Sequence, residues 1–252
     1  ITRNVSQIGI APFSACTQLT EINVDEANPY FSSLDGVLTD KNRTTIVAYP
    51  AGKGKRYIIP DGITKIGTHS FFACPITYIH TPNSVKTIEL FAFASCTDLD
   101  TIILGNSVDS IEGAAFRIND RLKTIYSMNP IPPAAHPEAF SSFSPMFFIQ
   151  CTLYVPVGSL QAYKNAEVWK NFKNIVENDF TGIERPSPDK AKIFGNKNSI
   201  SFRNIEPGTD ISIYDTTGKC IKTFAVDGDS EIPLPSGIYL IKYAGRTVKI
   251  IL

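Results

Sequence analysis

SVKTIELFAFASCTDLDTI, residues 84–102, carries apolar and small residues at a spacing that recurs along the chain. The spaced positions are Val85, Ile88, Phe93, Cys96, Leu99 and Ile102. The same frame recurs at Val5, Ile8, Phe13, Cys16, Leu19 and Ile22, at Ile63, Ile66, Phe71, Cys74, Ile76 and Ile79, and at Val108, Ile111, Phe116, Asn119, Leu122 and Ile125. Successive copies begin 22 residues apart, from 63 to 85, and 23 apart, from 85 to 108. A period of this length is typical of a solenoid, in which each coil buries its core against its neighbours.

The composition indicates a folded chain and excludes some classes of function. Of 252 residues, 43% are hydrophobic and 19% are charged, as is usual in globular domains. Lysine and arginine total 24, and aspartate and glutamate also total 24. The chain therefore lacks the strong positive charge of proteins that bind nucleic acid through phosphate contacts, and we expect no nucleic-acid partner. No apolar run approaches about 18 residues, so we also expect no membrane span in this sequence.

Residues 28–59 interrupt the repeat and predict an insert. The runs 36–39 and 44–49 are rich in β-forming residues, and residues 40–43 between them have turn chemistry. This pattern is typical of a β-hairpin, and a further strand is predicted at 57–59. The fold class predicted for the repeat region is therefore mainly β, a solenoid with short helical or 3-10 turns and a β-hairpin insert.

The predicted strand of each coil gives the solenoid a sheet, and alternate residues of a strand face opposite sides of that sheet. The first of these strands is predicted at residues 21–24. Stacked coils would align Asn23, His80, Ile103, Tyr126 and Tyr154 in one outward column, with Tyr78 in the column beside it. We interpret Tyr78, His80, Ile103, Tyr126 and Tyr154 as candidate binding residues, because tyrosine supplies large contact area at low entropic cost. Strand propensity alone would also place tyrosine on such a face.

The frame also predicts the interior of the solenoid. Phe13, Phe71, Phe93 and Phe116 are expected to stack through the core.

The five cysteines are Cys16, Cys74, Cys96, Cys151 and Cys220. This is an odd number, and three of them share one frame position, which argues against a disulfide framework. Buried free thiols are the first interpretation. A Cys74–Cys96 bridge between neighbouring coils is the alternative, because strand spacing would bring their Cα atoms within the permitted range.

The C-terminal part of the chain differs from the repeats. LYVPVGSLQAYKNAEVWKNFKNI, residues 153–175, predicts a last strand, a helix that follows an N-cap at Ser159 and runs through Ala166, and an apolar cap that includes Trp169. Residues 181–190 are polar with two prolines and predict a linker. Short apolar runs separated by turns then predict a small antiparallel β-sandwich. We therefore divide the chain into a capped solenoid at 1–180, a linker at 181–190 and a sandwich at 191–252.

Three segments of the first region match a known family. NPYFSSLDGVL (28–38), IVAYPAG (46–52) and IPDGITKIG (59–67), together with the repeat frame, resemble the BspA-type leucine-rich repeats of Bacteroidetes surface proteins. The resemblance covers about residues 1–180. It implies a right-handed leucine-rich-repeat solenoid with a β-sheet on one face, and a cell-surface protein that adheres to host proteins or to other cells.

The last region resembles a second family. ISIYDTTGKCIKTF (211–224), LPSGIYLIKY (234–243) and RTVKIIL (246–252) are similar to the C-terminal sorting domain of type IX secretion cargo. This resemblance implies an extracellular or outer-membrane-surface location. The family has Asn-Pro after its first strand, whereas this sequence has FGNK at 194–197. A sandwich with no role in sorting remains the alternative.

The sequence carries none of the usual catalytic motifs. His69, His80 and His136 lie in no HExxH motif, and neither GxSxG nor a glycine-rich phosphate loop occurs. We therefore expect no enzyme, no cofactor and no metal site. The leading hypothesis is adhesion through the solenoid sheet face to a protein ligand, on a host or on another cell. The alternatives are a glycan-binding accessory protein and a structural envelope protein without a soluble ligand.

Overall fold

The structure is a computed structural model in which the chain divides into two compact units, Ile1–Phe180 and Thr181–Leu252. It describes residues 1–142, 144, 146–180, 192–196, 198–203, 205, 208–226, 230–243 and 246–252. The predicted linker at 181–190 lies outside the described residues. Within these ranges, no helix has the length and apolar character needed to cross a membrane.

The first unit is a β-solenoid of thirteen short strands. They are β1 Phe31–Leu34, β2 Val37–Asp40, β3 Thr45–Ala48, β4 Arg56–Ile58, β5 Lys65–Ile66, β6 Tyr78–His80, β7 Thr87–Ile88, β8 Thr101–Leu104, β9 Ser110–Ile111, β10 Thr124–Ser127, β11 Ala134–Ala135, β12 Thr152–Pro156 and β13 Asn174–Asn178. The helical segments are α1 Phe147–Gln150, α2 Leu160–Asn165 and a 3-10 turn at Trp169–Asn171. The predicted fold class, with its hairpin insert and short helical turns, is confirmed.

Two sheets run along the solenoid. The first sheet has the strand order β4-β6-β8-β10-β12-β13, and the pairs between its neighbouring strands are all parallel. The second sheet has the order β1-β2-β3-β5-β7-β9-β11, antiparallel through the insert and parallel afterwards. The sequence predicted only the first sheet, because the parallel strands β5, β7, β9 and β11 of the second have two residues each and show no alternation.

The coils pack through a continuous aromatic stack. Ring centroids are 4.9 Å apart between Tyr49 and Phe71, 4.9 Å between Phe71 and Phe93, 5.3 Å between Phe93 and Phe116, and 5.1 Å between Phe116 and Phe140. All four pairs are stacked face to face, and the five side chains are almost completely buried. Stacked aromatic pairs stabilise a core by about 0.5–1.5 kcal/mol beyond their area burial. The repeat places the frame phenylalanines in register, and the contacts between their rings stabilise the packing of neighbouring coils.

The first coil departs from the prediction. Phe13 is only half-buried and packs with Ile22 and Leu38 in a separate cluster, while Tyr49 from the insert takes the place next to Phe71. Residues 21–24 form no strand, and the Ile22 amide donates to the Gly36 carbonyl at the hairpin turn. The prediction was wrong here because the insert at 28–59 lies between the first coil and the rest, and its own residues supply the contact surface.

A repeated turn nevertheless links the first coil to the others. In four coils, the residues two before and two after the frame phenylalanine have positive φ angles between 47° and 60°, although none is glycine. They are Ala11 and Ala15, His69 and Ala73, Phe91 and Ser95, and Ala114 and Ile118. A left-handed residue other than glycine costs roughly 1–2 kcal/mol. In the three coils of Phe71, Phe93 and Phe116, the aromatic stack and the backbone hydrogen bonds between coils offset this strain.

A side-chain ladder explains why asparagine can replace cysteine in the frame. Cys74 Sγ donates to the Tyr49 carbonyl at 3.7 Å, and Cys96 Sγ donates to the Phe71 carbonyl at 3.0 Å. Asn119 Nδ2 donates to the Phe93 carbonyl at 2.9 Å. Each frame residue thus binds the carbonyl of the aromatic residue in the preceding coil. This frame position therefore requires a buried hydrogen-bond donor, and either a thiol or an amide can supply it.

The thiols divide by exposure. Cys74, Cys96 and Cys151 are buried and free, whereas Cys16 and Cys220 are exposed and free. The prediction that Cys16 is buried was therefore wrong, because the first coil is not enclosed by the aromatic stack. Burial raises the pKa of Cys74 to about 12 and that of Cys151 to about 12. It also raises the pKa of Cys96.

Alkylation should report this division directly. In native protein near neutral pH, iodoacetamide is expected to label two thiols, Cys16 and Cys220, because the thiolate is the reactive form and the other three thiols are buried. After denaturation without reductant, intact mass should show five labelled cysteines. Three labels under those conditions would instead show one disulfide, as the Cys74–Cys96 alternative requires.

The solenoid ends in an aromatic cap. The Trp169 ring contacts Phe140 at 5.5 Å and Tyr163 at 5.5 Å between centroids, and its Nε1 donates to the Pro133 carbonyl at 2.7 Å. Helix α2 forms as predicted after Ser159, whose hydroxyl makes no capping bond. Glu177 caps the helix instead, accepting from the Leu160 amide at 3.2 Å. The last coil is thereby closed against water, as solenoids require.

The described residues of the second unit form two small antiparallel sheets. Its strands are β14 Lys192–Asn196, β15 Ser199–Arg203, β16 Asp210–Tyr214, β17 Cys220–Ala225, β18 Ser230–Pro233, β19 Ile238–Tyr243 and β20 Arg246–Ile251. The sheet orders are β14-β15-β18 and β17-β16-β19-β20. Phe202, Ile213 and Ile241 are completely buried between them. The small antiparallel sandwich is confirmed.

Candidate ligand-binding face

The strand register of the first sheet defines two rows of side chains on its outer face. The aromatic row contains Ile58, His80, Ile103, Tyr126, Tyr154 and Val176. The threonine row contains Arg56, Tyr78, Thr101, Thr124, Thr152 and Asn174. The residues between the rows, such as Ile79, Ile102 and Ile125, are completely buried in the core. The frame therefore aligns His80, Ile103, Tyr126 and Tyr154 as expected, while Asn23 lies outside the sheet.

Two of the predicted site residues are not exposed. His80 is 2% exposed and Ile103 is 3% exposed, so the expectation of a continuous exposed column is wrong at these positions. Alternation along a strand fixes the side of the sheet to which a side chain points, but not its exposure. Each of these residues is also flanked by a row neighbour on both adjacent strands, about 4.8 Å away. Neither His80 nor Ile103 offers surface to a ligand in this structure.

Tyr126 and Tyr154 form the accessible part of the aromatic row. Both are half-buried, and their rings stack at 4.8 Å with an interplanar angle of 17°. Phe180 meets Tyr126 edge-on at 6.4 Å. Burial, and secondarily the neighbouring Tyr154, raises the pKa of Tyr126, so its hydroxyl stays protonated and available to donate. We call this stacked pair the tyrosine platform.

Tyr78 is positioned by a residue that the sequence did not single out. The Arg56 guanidinium lies 3.9 Å from the centre of the Tyr78 ring, in a cation–π contact between β4 and β6. Arg56 is exposed and Tyr78 is half-buried. Aligning β4 with β6 in the sequence would have paired residues 56 and 78 and so predicted this contact. The frame does not make this alignment, because β4 lies before the frame copy that starts at Ile63.

Apart from the face of the first sheet, a concavity lies beside the second sheet. It has a volume of about 560 Å³, and its lining includes Leu90, Phe91, Arg117 and His136. Glu112 also lines it, but its Oε2 accepts from the Leu90 amide at 3.1 Å and so supports the coil turn. Among the described residues, no group of three or more histidine, cysteine, aspartate or glutamate side chains could hold a metal ion.

The repeats match a known protein family. Residues 50–153 match the model of the BspA type leucine rich repeat region, in six copies. This segment of the chain is therefore similar to BspA-type leucine-rich repeats. The match does not extend to residues 191–252.

Several solved structures are similar to this chain at low identity. The pneumococcal vaccine antigen PcpA is 18% identical with a TM-score of 0.45, over 71% of this chain and 55% of that one. A leucine-rich cell surface protein from Faecalibacterium prausnitzii is 19% identical with a TM-score of 0.40, over 71% of this chain and 47% of that one. A leucine-rich repeat protein from Eubacterium ventriosum is 18% identical with a TM-score of 0.42, over 72% and 57%. The match thus covers about half the length of each of these structures. A comparison with curated proteins finds no match.

Proposed function

We propose that this chain is a non-enzymatic adhesion protein that binds a protein ligand through the outer face of the first sheet, on a host or on another cell. The observation that carries the proposal is the tyrosine platform, two stacked half-buried tyrosines beside the short side chains of Thr124 and Thr152 on the same strands. Tyrosines of this kind are over-represented among residues that dominate protein interfaces. BspA-type repeats at 50–153 support a binding role in general.

The ring geometry favours a protein over a glycan. A sugar would cover the face of an aromatic ring, but Tyr126 and Tyr154 turn their faces onto each other at 4.8 Å. The two faces that meet are therefore not available to a sugar, whereas the hydroxyl groups and ring edges remain as contacts for a protein. Edges and hydroxyls suit the mixed apolar and hydrogen-bonding contacts of a protein interface.

The tyrosine platform can be tested by a binding screen of the full chain against immobilised extracellular-matrix proteins. For a ligand found in this way, the Tyr126→Ala/Tyr154→Ala variant is expected to bind at least about tenfold more weakly, since interface tyrosines commonly contribute over 1 kcal/mol each. Because both side chains are only half-buried, the melting temperature should fall by only a few degrees. Surface plasmon resonance and thermal melting would give the two results.

Tyr30→Ala is the control, because Tyr30 is 54% exposed and lies on the insert, outside both rows. Its binding should equal that of the wild type. Undiminished binding by the Tyr126→Ala/Tyr154→Ala variant would exclude the tyrosine platform as the site, and the concavity lined by Phe91 and His136 would then be the next surface to mutate.

We also propose that residues 1–180 and 191–252 act as separate domains joined by a linker at 181–190, with the second serving export. Support comes from its resemblance to type IX sorting domains and from its antiparallel sandwich. The protein would then reach the outer-membrane surface or the exterior of a Bacteroidetes cell. A reporter fused ahead of residues 181–252 should be exported by a type IX-competent strain, and retention of the reporter inside the cell would leave the sandwich without a sorting role.

A further inference from the structure

The edge at which the strands of the first sheet begin carries a row of cations. All these strands run parallel, so the residues immediately before them line one edge: Lys55, Thr77, Asp100, Lys123, Cys151 and Lys173. Lys55, Lys123 and Lys173 are exposed, and so is Arg56 at the first position of β4. We call these four cations the cationic rim.

The acidic residues near this edge are already paired. Asp100 lies 3.8 Å from Lys123, and in the preceding turn Asp98 lies 3.1 Å from Arg121. Within the part of the chain that the structure describes, Lys55, Arg56 and Lys173 have no carboxylate within 4 Å. The edge therefore has an uncompensated positive charge, although the whole chain has a formal net charge of zero.

Arg56 is held ready for a carboxylate. The Tyr78 ring lies 3.9 Å from its guanidinium carbon and restricts its position. A guanidinium stacked on an aromatic ring keeps its in-plane N–H groups free to bind a carboxylate through two hydrogen bonds. The entropic cost of ordering this side chain on binding is thereby reduced.

The threonine row gives room for an extended chain beside the cationic rim. Thr101, Thr124 and Thr152 are short, half-buried residues between the cationic rim and the taller tyrosine platform. From Thr101 to Thr152 this short part of the row crosses two strand spacings, which is roughly 10 Å, and the larger Arg56 and Tyr78 occupy the row beyond β8. About three residues of extended polypeptide have this length.

We infer that an acidic, extended segment of the partner protein crosses the threonine row at Thr101, Thr124 and Thr152, with its carboxylates on the cationic rim. The inference rests on the proposed function, since it names the chemistry of the ligand that binds this face. Charge complementarity of this kind mainly increases the association rate and selects among partners. Binding should consequently weaken as salt screens the charges.

The test uses the full chain and a fluorescently labelled octaglutamate peptide, with octaglutamine as the uncharged probe and heparin as the anionic polysaccharide. Octaglutamate binding, followed by fluorescence anisotropy at low salt, is expected to exceed octaglutamine binding and to weaken at about 0.15 M salt. The Arg56→Gln/Lys173→Gln variant should bind octaglutamate about tenfold more weakly.

The matched control is Lys86→Gln/Arg117→Gln, which also removes one lysine and one arginine. Both residues are exposed and lie beside the second sheet, Lys86 just before β7 and Arg117 at the concavity. The control should bind as the wild type does. Equal losses in the two variants, or no preference for octaglutamate over octaglutamine, would overturn the inference. Heparin binding that depends on the cationic rim, without octaglutamate binding, would overturn it in favour of a polysaccharide.

These outcomes are separable from those of the platform variant. One outcome is that a protein ligand binds the Tyr126→Ala/Tyr154→Ala variant more weakly and the Arg56→Gln/Lys173→Gln variant as tightly as the wild type. In that case the sheet face is the binding face, and the inference of an acidic segment is wrong. If neither variant affects a ligand that binds the chain, the proposed function itself fails.

Discussion

Replacing Phe93 by alanine is expected to lower the free energy of unfolding of the solenoid by about 3–5 kcal/mol. Phe93 is completely buried and stacks on Phe71 at 4.9 Å and on Phe116 at 5.3 Å, so the substitution opens a cavity between two coils and removes two ring contacts. Urea unfolding followed by tryptophan fluorescence would measure this, because Trp169 is the single tryptophan of the sequence and lies in the solenoid.

Phe13→Ala is the matched control for Phe93→Ala. It removes the same side chain from the same frame position, but Phe13 is half-buried and its neighbours are Ile22 and Leu38 rather than an aromatic stack. We expect a smaller loss of about 1–2 kcal/mol. Equal losses for the two variants would show that the first coil is packed like the others and would contradict the structure.

Replacing Trp169 by alanine should have an effect of similar size, about 3–5 kcal/mol. The completely buried indole fills the cap between Phe140, Tyr163 and Phe172, and its Nε1 satisfies the Pro133 carbonyl at 2.7 Å. Circular dichroism would follow the urea unfolding of this variant, which lacks the fluorescent probe.

A second variant separates packing from hydrogen bonding at the cap. Trp169→Phe keeps an aromatic ring and removes the donor to Pro133 together with the smaller part of the buried indole, so a loss of about 1–3 kcal/mol, below that of Trp169→Ala, is expected. Because solenoid coils are stabilised by their neighbours, hydrogen exchange in Trp169→Ala should accelerate first in β12 and β13, next to the cap. Uniform acceleration along the solenoid would show that the cap does not act locally.

The sequence predicted those features that depend on local spacing. The frame identified Phe71, Phe93 and Phe116 as stacked residues and Ile79, Ile102 and Ile125 as inward-facing ones, because each coil meets a nearly identical neighbour. It also aligned His80, Ile103, Tyr126 and Tyr154 in one row, since parallel pairing follows the frame.

The features it missed depend on contacts between segments that differ from one another. Tyr49 replaces Phe13 in the stack because the insert, rather than the first coil, adjoins the coil of Phe71. His80 and Ile103 are buried although they point outward. The alternation of side chains along a strand predicts which way a residue points, but not how exposed it is. Arg56 was missed because β4 lies in the insert, before the frame copy at 63, and was not aligned with the strand of Tyr78. The binding roles of Tyr78, Tyr126 and Tyr154 remain predictions.

Cys74, Cys96 and Asn119 each donate a hydrogen bond to the carbonyl of an aromatic residue in the preceding coil. These hydrogen bonds bear on how such a chain can change its length. Cys96 and Asn119 bind the preceding coil in the same way, so the two coils present interchangeable boundaries to their neighbours. Recombination between two copies within a gene would therefore delete or duplicate a whole coil and still join compatible ends. Each such event would shorten or extend the sheet by one strand spacing, about 4.8 Å. Selection could thus adjust the span of the surface in fixed increments while the interior chemistry stayed unchanged.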